Sequence, residues 1–275
     1  MNGNVPVPAW LVAAWERLYV LNNGVPDRSV NVRNIQTPTL FGDCRIPKDR
    51  PAFPHATSLR DLSDAELETL YPQEGFSGFT SVEGYIVTWH HEIDYQPPDG
   101  TIDIGRVDFT GGRSMFEYGV QATYTEHWWN LASGDGCYFG ARVVKRRPGG
   151  DRIWEILSVN GDHFIYARNR LENLPMASSL ADLIKSTHAT RDQILAWLDC
   201  EVSHGFVEGG SQPWEIQFST LPYRTGKRCS FIDRIVVDPK TGAVSGLAEP
   251  DEVWSFPVNT LVLDDLLILF PTRPA

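Results

Sequence analysis

A long succession of short, turn-bounded β segments is the feature that most constrains how this chain can fold. From Phe76 onward, runs of β-branched and aromatic residues alternate with turn sequences such as PPDG, TGGRS, RPGGD and NGD. The Asn160-Gly161 pair is the strongest hairpin signal, because a type I′ turn needs positive φ at its central residues. Many short strands joined by tight turns predict an antiparallel meander, which closes into a barrel or folds into a sandwich.

Two segments early in the chain have helical character instead. Apolar spacing after the first prolines predicts an N-terminal helix over PAWLVAAWERLYVL, residues 8–21. A short helix is predicted within LSDAELETLYPQEG, where Ser63 and Glu66 have the spacing of a capping box and Pro72 with Gly75 close it.

A third helical segment divides the strand-rich part of the chain. It is an insert at 178–198, in which Thr190 and Gln193 again have capping-box spacing. The strand-rich stretches are 76–170 and 198–258. Because the insert lacks the Pro- and Gly-rich look of a flexible linker, we predict a single β-rich domain over residues 1–275. The two stretches form either one barrel or two barrel-like halves.

Composition narrows the classes of function. The chain has 275 residues, of which 42% are hydrophobic and 21% charged, as in a globular protein with a substantial core. A net charge of −11 argues against nucleic-acid binding, since phosphate contacts need a concentrated positive surface. No apolar run reaches the roughly 18 residues of a membrane span, so no membrane partner is expected.

The N-terminus and the cysteines predict a cytoplasmic setting. The first residues carry no basic segment and no clear cleavage site, so we expect no signal peptide. Cys44, Cys137, Cys200 and Cys229 are widely spaced and form no CxxC pair. This pattern argues against a disulfide scaffold and favours a reduced compartment.

The densest group of titratable residues lies in VTWHHEIDYQ, residues 87–96. Alternate residues of a strand share a face. One face would carry Val87, Trp89, His91, Ile93 and Tyr95, and the other Thr88, His90, Glu92, Asp94 and Gln96. Three interpretations stay open. The polar face lies in water, or it lines a lumen that binds a ligand through His90, Glu92 and Asp94, or His91 alone enters an aromatic pocket as an acid or base.

A second group lies in MFEYGVQATYTEHWW, predicted as one strand with Tyr118, Tyr124, Glu126 and Trp128 on one face. Burial of the Glu126 carboxylate without a partner would be costly. Glu126 is therefore either exposed near a strand end or paired with a cation, for which the candidates are Arg106, Arg142 and Arg168. A carboxylate in an aromatic setting can act as an acid, whereas a buried Glu–Arg pair would be purely structural. The aromatic residues of this region suit either a ligand cavity or an aromatic core.

Arg168 and the histidines raise two further questions. Arg168 ends an aromatic strand and is the best candidate partner for an anion, unless it is a surface residue. His90 and Glu92 could share a metal with a third ligand such as His127. The sequence has no HExxH, paired CxxC, DxDxDG or glycine-rich nucleotide motif, so we predict no metal and no cofactor.

The spacing W-H-H-E-I-D … D-I-G … F-E-Y-G … E-H-W resembles that of the lipocalin-like (calycin) barrels, in particular their intracellular double-barrel relatives. The matching positions are Trp89, Ile93, Asp94, Asp103, Gly105, Glu117, Glu126 and Trp128. The match covers about 55 residues. The Gly-x-Trp signature and paired cysteines of secreted lipocalins are absent, which argues against transport of extracellular lipids. The resemblance implies a mainly β, cup-shaped antiparallel barrel with a ligand cavity and a few short helices.

Three functions follow as alternatives. The first is a barrel that binds a small, partly aromatic or apolar molecule, with the ligand-binding residues Trp89, Asp94, Tyr95, Tyr118, Tyr124, Trp128 and Arg168. The second is a cofactor-independent lyase, hydratase or isomerase, with catalytic residues His91, His90, Glu92 and Glu126. The third is a structural or interaction module without a cavity. Fold alone cannot choose between them. Assembly as a homodimer also stays open.

Overall fold

A closed antiparallel β-barrel forms the N-terminal half of the protein, which the computed structural model describes at residues 5–131, 137–148 and 150–272. Its strands follow one another in chain order, and the first pairs with both the third and the last, which closes the barrel from eight strands. A three-residue strand, β2, extends the first hairpin. The strands are β1 (Ala13–Asn22), β2 (Val25–Asp27), β3 (Val30–Gln36), β4 (Phe41–Pro47), β5 (Glu74–Glu83), β6 (Ile86–Asp94), β7 (Asp103–Gly111), β8 (Ser114–Gly119) and β9 (Thr125–Asn130).

A second, six-stranded antiparallel sheet packs against the outside of the barrel. Its order is β14-β13-β12-β11-β10-β17, so β14 and β17 are its edges and the sheet is open. A small two-stranded sheet accompanies it. These strands are β10 (Tyr138–Lys145), β11 (Arg152–Asn160), β12 (His163–Arg168), β13 (Glu201–Phe206), β14 (Glu215–Ser219), β15 (Ile235–Val237), β16 (Val244–Gly246) and β17 (Glu252–Asn259). The predicted mainly β fold with an antiparallel barrel is confirmed, and in the described chain only the first sheet closes.

Four short α-helices complete the described structure: α1 (Asp64–Glu68), α2 (Leu180–Thr187), α3 (Arg191–Leu198) and α4 (Leu263–Leu269). The capping box predicted for α1 is present. The Ser63 hydroxyl accepts from the Glu66 N–H at 3.3 Å, and the Glu66 carboxylate accepts from the Ser63 N–H at 2.8 Å. The box of Thr190 and Gln193 begins α3 in the same way. None of the described helices is long and apolar enough to cross a lipid bilayer.

The predicted N-terminal helix is wrong, because most of that segment is β1. Trp15 lies in the barrel interior, whereas its neighbour Ala14 packs between the barrel and the second sheet. A strand buried on both faces is almost continuously apolar, and its apolar spacing then also fits a helix.

Three apolar clusters hold these layers together. The first fills the barrel and contains Trp15, Phe41, Trp89 and Trp128. The second lies between the barrel and the six-stranded sheet, where barrel residues such as Ile35, Cys44 and Ile93 meet Ile165 and Val202. The third covers the far face of that sheet with Phe139, Trp214 and Phe231. The barrel therefore has a packed interior and one covered outer wall.

Candidate functional site

A β-bulge in β6 decides which side chains of the 87–96 segment enter the barrel. Gly78 of β5 pairs with His91, but the preceding residue, Ser77, pairs with Ile93, so Glu92 is the extra residue of the bulge. A Cβ on Gly78 would collide with the backbone of β6, which explains why glycine occupies this position. At this bulge, the alternation of side chains between the two faces of β6 is interrupted.

The predicted division of this segment into two uniform faces is therefore wrong beyond His91. Trp89 packs in the barrel interior. Ile93 and Tyr95 instead lie in the apolar cluster outside the barrel. Asp94 pairs across the ladder with Phe76, whose ring belongs to the interior cluster, so Asp94 joins the face of the barrel lumen.

His91 lies between two carboxylates at the end of the barrel that carries the β6–β7 loop, here called the mouth. Its Nδ1 is 2.6 Å from Asp94 Oδ2, and its Nε2 is 3.1 Å from Asp103 Oδ2. The ring stacks on Phe76 with 4.0 Å between centroids. Burial lowers the pKa of His91, but the hydrogen bonds to Asp103 and Asp94 outweigh it and raise the pKa to about 9. At neutral pH both ring nitrogens carry protons directed at carboxylates, so His91 has no free lone pair for a base.

The other predicted catalytic residues of β6 do not join His91. His90 contacts the Ser81 hydroxyl at 2.8 Å and stacks on Phe79 at 4.4 Å. Glu92 forms an ion pair with Arg142 of β10, in the second sheet. Burial raises the pKa of Glu92, and Arg142 opposes that rise. His90, His91 and Glu92 thus serve three different contacts.

Glu126 lies inside the barrel and forms an ion pair with Arg17 of β1. Arg45 of β4 also approaches its carboxylate, at 3.8 Å. None of the three predicted partners reaches it. Arg106 pairs with Asp108 and Arg142 with Glu92, while Arg168 donates to Asp199 at 2.6 Å. Arg17 is not among the predicted partners, because the apolar spacing of its segment predicts a helix rather than a barrel strand.

Glu117 is the carboxylate that the sequence-based site missed. It is directly opposite Glu126 across β8 and β9 and is 4% exposed. It accepts hydrogen bonds from the Tyr124 hydroxyl at 2.9 Å and from Trp128 Nε1 at 3.1 Å. Burial, followed by the negative charges of Glu126 and Asp103, holds the pKa of Glu117 well above its usual range.

Glu117 was not predicted as a site residue because the segment predicted as one strand is in fact the β8–β9 hairpin. On a single strand Glu117 and Glu126 would face opposite ways, whereas the hairpin puts both in the lumen. Tyr118 lies on the outer face, where the Arg106 guanidinium covers its ring at 4.4 Å. Gly119, at the end of β8, was the available turn signal.

Free space lies at the mouth rather than deep in the barrel. The interior, between Trp15, Trp89, Glu117 and Trp128, has a cavity of only about 10 Å³, which is room for roughly one water. A cleft of about 930 Å³, here called the mouth cleft, opens beside His91. A side cavity of about 410 Å³ also has His91 in its wall, and its other lining residues include Arg45, Tyr124 and Glu126. Most of the buried aromatic side chains of this region therefore fill the barrel rather than line a large cavity.

The walls of the mouth cleft are aromatic and acidic. Its aromatic residues are Tyr71, Phe76 and Trp89. Its acidic residues are Glu68, Glu74, Asp94, Asp99 and Asp103. His91 is the balancing cation, and none of the described residues lining the cleft is a lysine or arginine. Ser178, Ser179 and Ala181, at the start of α2, form the opposite wall.

Arg170, just after β12, fixes the segment that carries Asp94. Its guanidinium donates to the carbonyl oxygens of Asp94 at 2.9 Å, Tyr95 at 2.6 Å and Trp197 at 2.9 Å. The residue is 3% exposed. The second sheet and α3 thus hold the end of β6 in place.

Seven of the predicted site residues line the mouth or the barrel interior, and four lie elsewhere. Trp89, His90, His91 and Asp94 line the mouth cleft, Tyr124 and Glu126 line the side cavity, and Trp128 lines the interior. Tyr95, Tyr118, Glu92 and Arg168 make the other contacts given above, with Tyr95 donating to the Leu70 carbonyl at 3.1 Å. Within the described residues, no group of three or more His, Cys, Asp or Glu side chains could hold a metal ion.

Comparison with known proteins gives no named relative. No family model matches the chain, and no curated protein matches it. A solved structure with some similarity is the crystal structure of an uncharacterized protein from Saccharomyces cerevisiae. It has 12% sequence identity and a TM-score of 0.42, over 75% of this chain and 84% of that one.

Proposed function

We propose that this protein is a lipocalin-like barrel that binds a small cationic molecule with an apolar part at its mouth. The observation that supports it most directly is the mouth cleft, whose volume of about 930 Å³ lies within the range of small-molecule sites. The ligand would sit over the mouth, because the interior is filled by tryptophans. The cytoplasmic setting and a homodimer stay predictions from the sequence.

The charge of the ligand follows from the residues around the cleft. Protonated His91 is shared by Asp94 and Asp103, which leaves their combined charge negative. Glu74 approaches Arg45 at 3.6 Å, and Glu68 has no ion-pair partner among the described residues. A concave site lined by one sign of charge concentrates the opposite ion. An anion would meet the same carboxylates unfavourably.

The apolar part of the ligand follows from the aromatic wall. Phe76 and Trp89 lie beside the carboxylates as buried apolar wall, and the Phe76 ring is covered by His91 and Arg45. The partly exposed ring of Tyr71 is the aromatic face that an ammonium group could approach, with a further gain from the ring quadrupole. Binding is favoured over acid–base catalysis because both nitrogens of His91 are engaged. His90, Glu92 and Glu126 also contact separate partners.

Calorimetric titration with two matched probes tests this function. Phenethylammonium and phenylacetate carry the same ring and opposite charges. We expect only the ammonium to bind, more weakly as salt is raised because the Debye length shortens. The double substitution Glu68→Gln and Glu74→Gln should weaken binding several-fold, and Glu208→Gln, a change outside the cleft lining, should not. Equal binding of both probes, or no binding of either, would overturn the proposal.

A further inference from the structure

An apolar groove continues from the mouth cleft along the helices. It has a volume of about 410 Å³ and lies between α1 and the α2–α3 pair. Its apolar walls are Leu67, Tyr71, Ile184 and Ile194. We call it the helix groove. Its place next to the mouth cleft gives a bound molecule a second, chemically different surface.

The two spaces share part of their walls. Glu68, Tyr71 and Ala181 line both the mouth cleft and the helix groove. The surface therefore changes from carboxylates and aromatic rings at the mouth to aliphatic side chains between the helices. A molecule that fits both spaces has a charged end and an apolar end.

Gln96 fixes the passage between the two spaces. Its side-chain amide donates to the carbonyl oxygens of Tyr71 at 2.8 Å and Gln73 at 2.7 Å. Its side-chain oxygen accepts from the Leu180 N–H at 2.9 Å. One side chain thus joins the segment after α1 to the first turn of α2. The passage is preformed, so little ordering is needed when a ligand enters.

The charges of the helix groove favour an apolar chain with no second cation. Lys185 lines it, and Asp64, the other charged residue besides Glu68, is paired with Arg191. A second ammonium group placed there would lose hydration and approach Lys185. The cationic group therefore belongs at the mouth only.

On the basis of the proposed function, we propose that the natural ligand is a cationic amphiphile: its single positive head lies in the mouth cleft and its alkyl chain follows the helix groove. Each methylene fully removed from water strengthens binding by roughly fourfold, and by less where the groove leaves it partly exposed. The gain should end when the chain passes Ile194 and returns to solvent. Chain length, in addition to charge, is the property that this surface would select.

Calorimetry with butyl-, hexyl- and octylammonium, each below its micelle concentration, tests this inference. We expect affinity to rise by roughly twofold to fourfold per methylene over this series. Octane-1,8-diammonium, which places a second charge in the groove, should bind more weakly than octylammonium. Octanoate should not bind, and equal binding of octanoate would overturn the inference.

Substitutions in the helix groove provide the second arm. Ile194→Asn should reduce the affinity for octylammonium more than that for butylammonium, and so flatten the dependence on chain length. The matched control is Ile268→Asn on α4, where the side chain is 74% exposed and outside the groove. Ala181→Phe, which narrows the passage from an exposed helix position, gives an independent test if Ile194→Asn does not fold. A slope that neither groove variant changes would overturn the inference.

The outcomes separate this inference from the proposed function. If all the ammonium probes bind with one affinity, the helix groove plays no part, and the mouth cleft stands as the site. If none of the ammonium probes binds, the mouth cleft itself fails as a cation site.

Discussion

Gly78 and His91 face each other across β5 and β6 at the bulge, and this pairing determines which residues enter the barrel mouth. A residue with a side chain at position 78 would press on the His90 carbonyl group. The bulge also directs the Asp94 side chain toward the lumen, where its Oδ2 lies 2.6 Å from His91 Nδ1. A single glycine therefore links strand pairing to the composition of the candidate site.

Gly78→Ala should destabilise the protein by about 1–3 kcal/mol, the usual effect of forcing extra volume into packed structure. The free energy of unfolding, measured with urea, gives the magnitude, and the imidazole resonances of His91 report loss of its contacts. Thr88→Ala, a truncation on the neighbouring strand, serves as the control and should have a small effect. Wild-type stability of Gly78→Ala would contradict the role given to this glycine.

The pKa of His91 should be about 9 in the folded protein. This value exceeds the usual 6.5, so the stabilisation from the two aspartates is complete below about pH 6.5 and is lost as pH rises through about 9. NMR titration of the ring measures the pKa directly. His127 is an internal comparison, because burial lowers its pKa and it should titrate on the other side of 6.5. A His91 pKa below 7 would exclude the charged arrangement.

Glu117→Gln should stabilise the protein at pH 8, because it removes a carboxyl group whose charged form is disfavoured by burial and by the negative charges of Glu126 and Asp103. The folded-state pKa of Glu117 is raised, so the wild type loses stability as pH rises from the unfolded value toward the folded one. The glutamine keeps an acceptor for Trp128 Nε1 without the charge. At a pH low enough to protonate Glu117 in both states, the difference should disappear.

Glu126→Gln, on the strand residue paired with Glu117, should have the opposite effect and destabilise the protein. It leaves the Arg17 guanidinium, which is 9% exposed, without its carboxylate. Removal of one partner of a buried pair is destabilising by up to about 3–5 kcal/mol. Thermal unfolding of both variants under one set of conditions checks the prediction. The same sign for Glu117→Gln and Glu126→Gln would show that the two carboxylates are not distinguished as described.

The Glu92–Arg142 pair should couple the barrel to the second sheet. Arg142→Met leaves a partly buried carboxylate unpaired, and Glu92→Gln in the same protein should recover part of the loss. Because the side chains are 16% and 31% exposed, a double-mutant cycle should give a coupling of about 1 kcal/mol. Strictly additive effects would mean that the pair holds nothing together.

Local patterns in the sequence predict the antiparallel strands and the capped helices, whereas the choice of a barrel over a sandwich comes from the resemblance to lipocalin-like barrels. Turn sequences mark the hairpins, and the Ser63–Glu66 box depends on residues three positions apart. The site depends on pairing between distant strands instead. The bulge at Glu92 exists only in register with Gly78, and Arg17 meets Glu126 only because the barrel closes. Neither relation is present in the spacing of one segment.

Because spacing within one segment reveals only local neighbours, it predicts some of the residues at the mouth and misses others. Trp89, His91 and Asp94 are close in sequence and stay together, although the bulge exchanges the faces of Asp94 and Tyr95. The wall formed by Ser178 and Ala181 comes from a helix more than eighty positions away along the chain. Strand periodicity carries no information about which helix covers a barrel end.

The three carbonyl groups held by Arg170 have a consequence for how this protein can diverge or be dissected. A fragment that stops at residue 131 would contain every strand of the barrel, yet it would lack the cation that fixes Asp94 and Tyr95. It would also lack α2, and with it one wall of the mouth cleft. The candidate binding surface therefore does not belong to the barrel alone. It can be transferred to another protein, or kept during divergence, only if both halves of the chain are kept together.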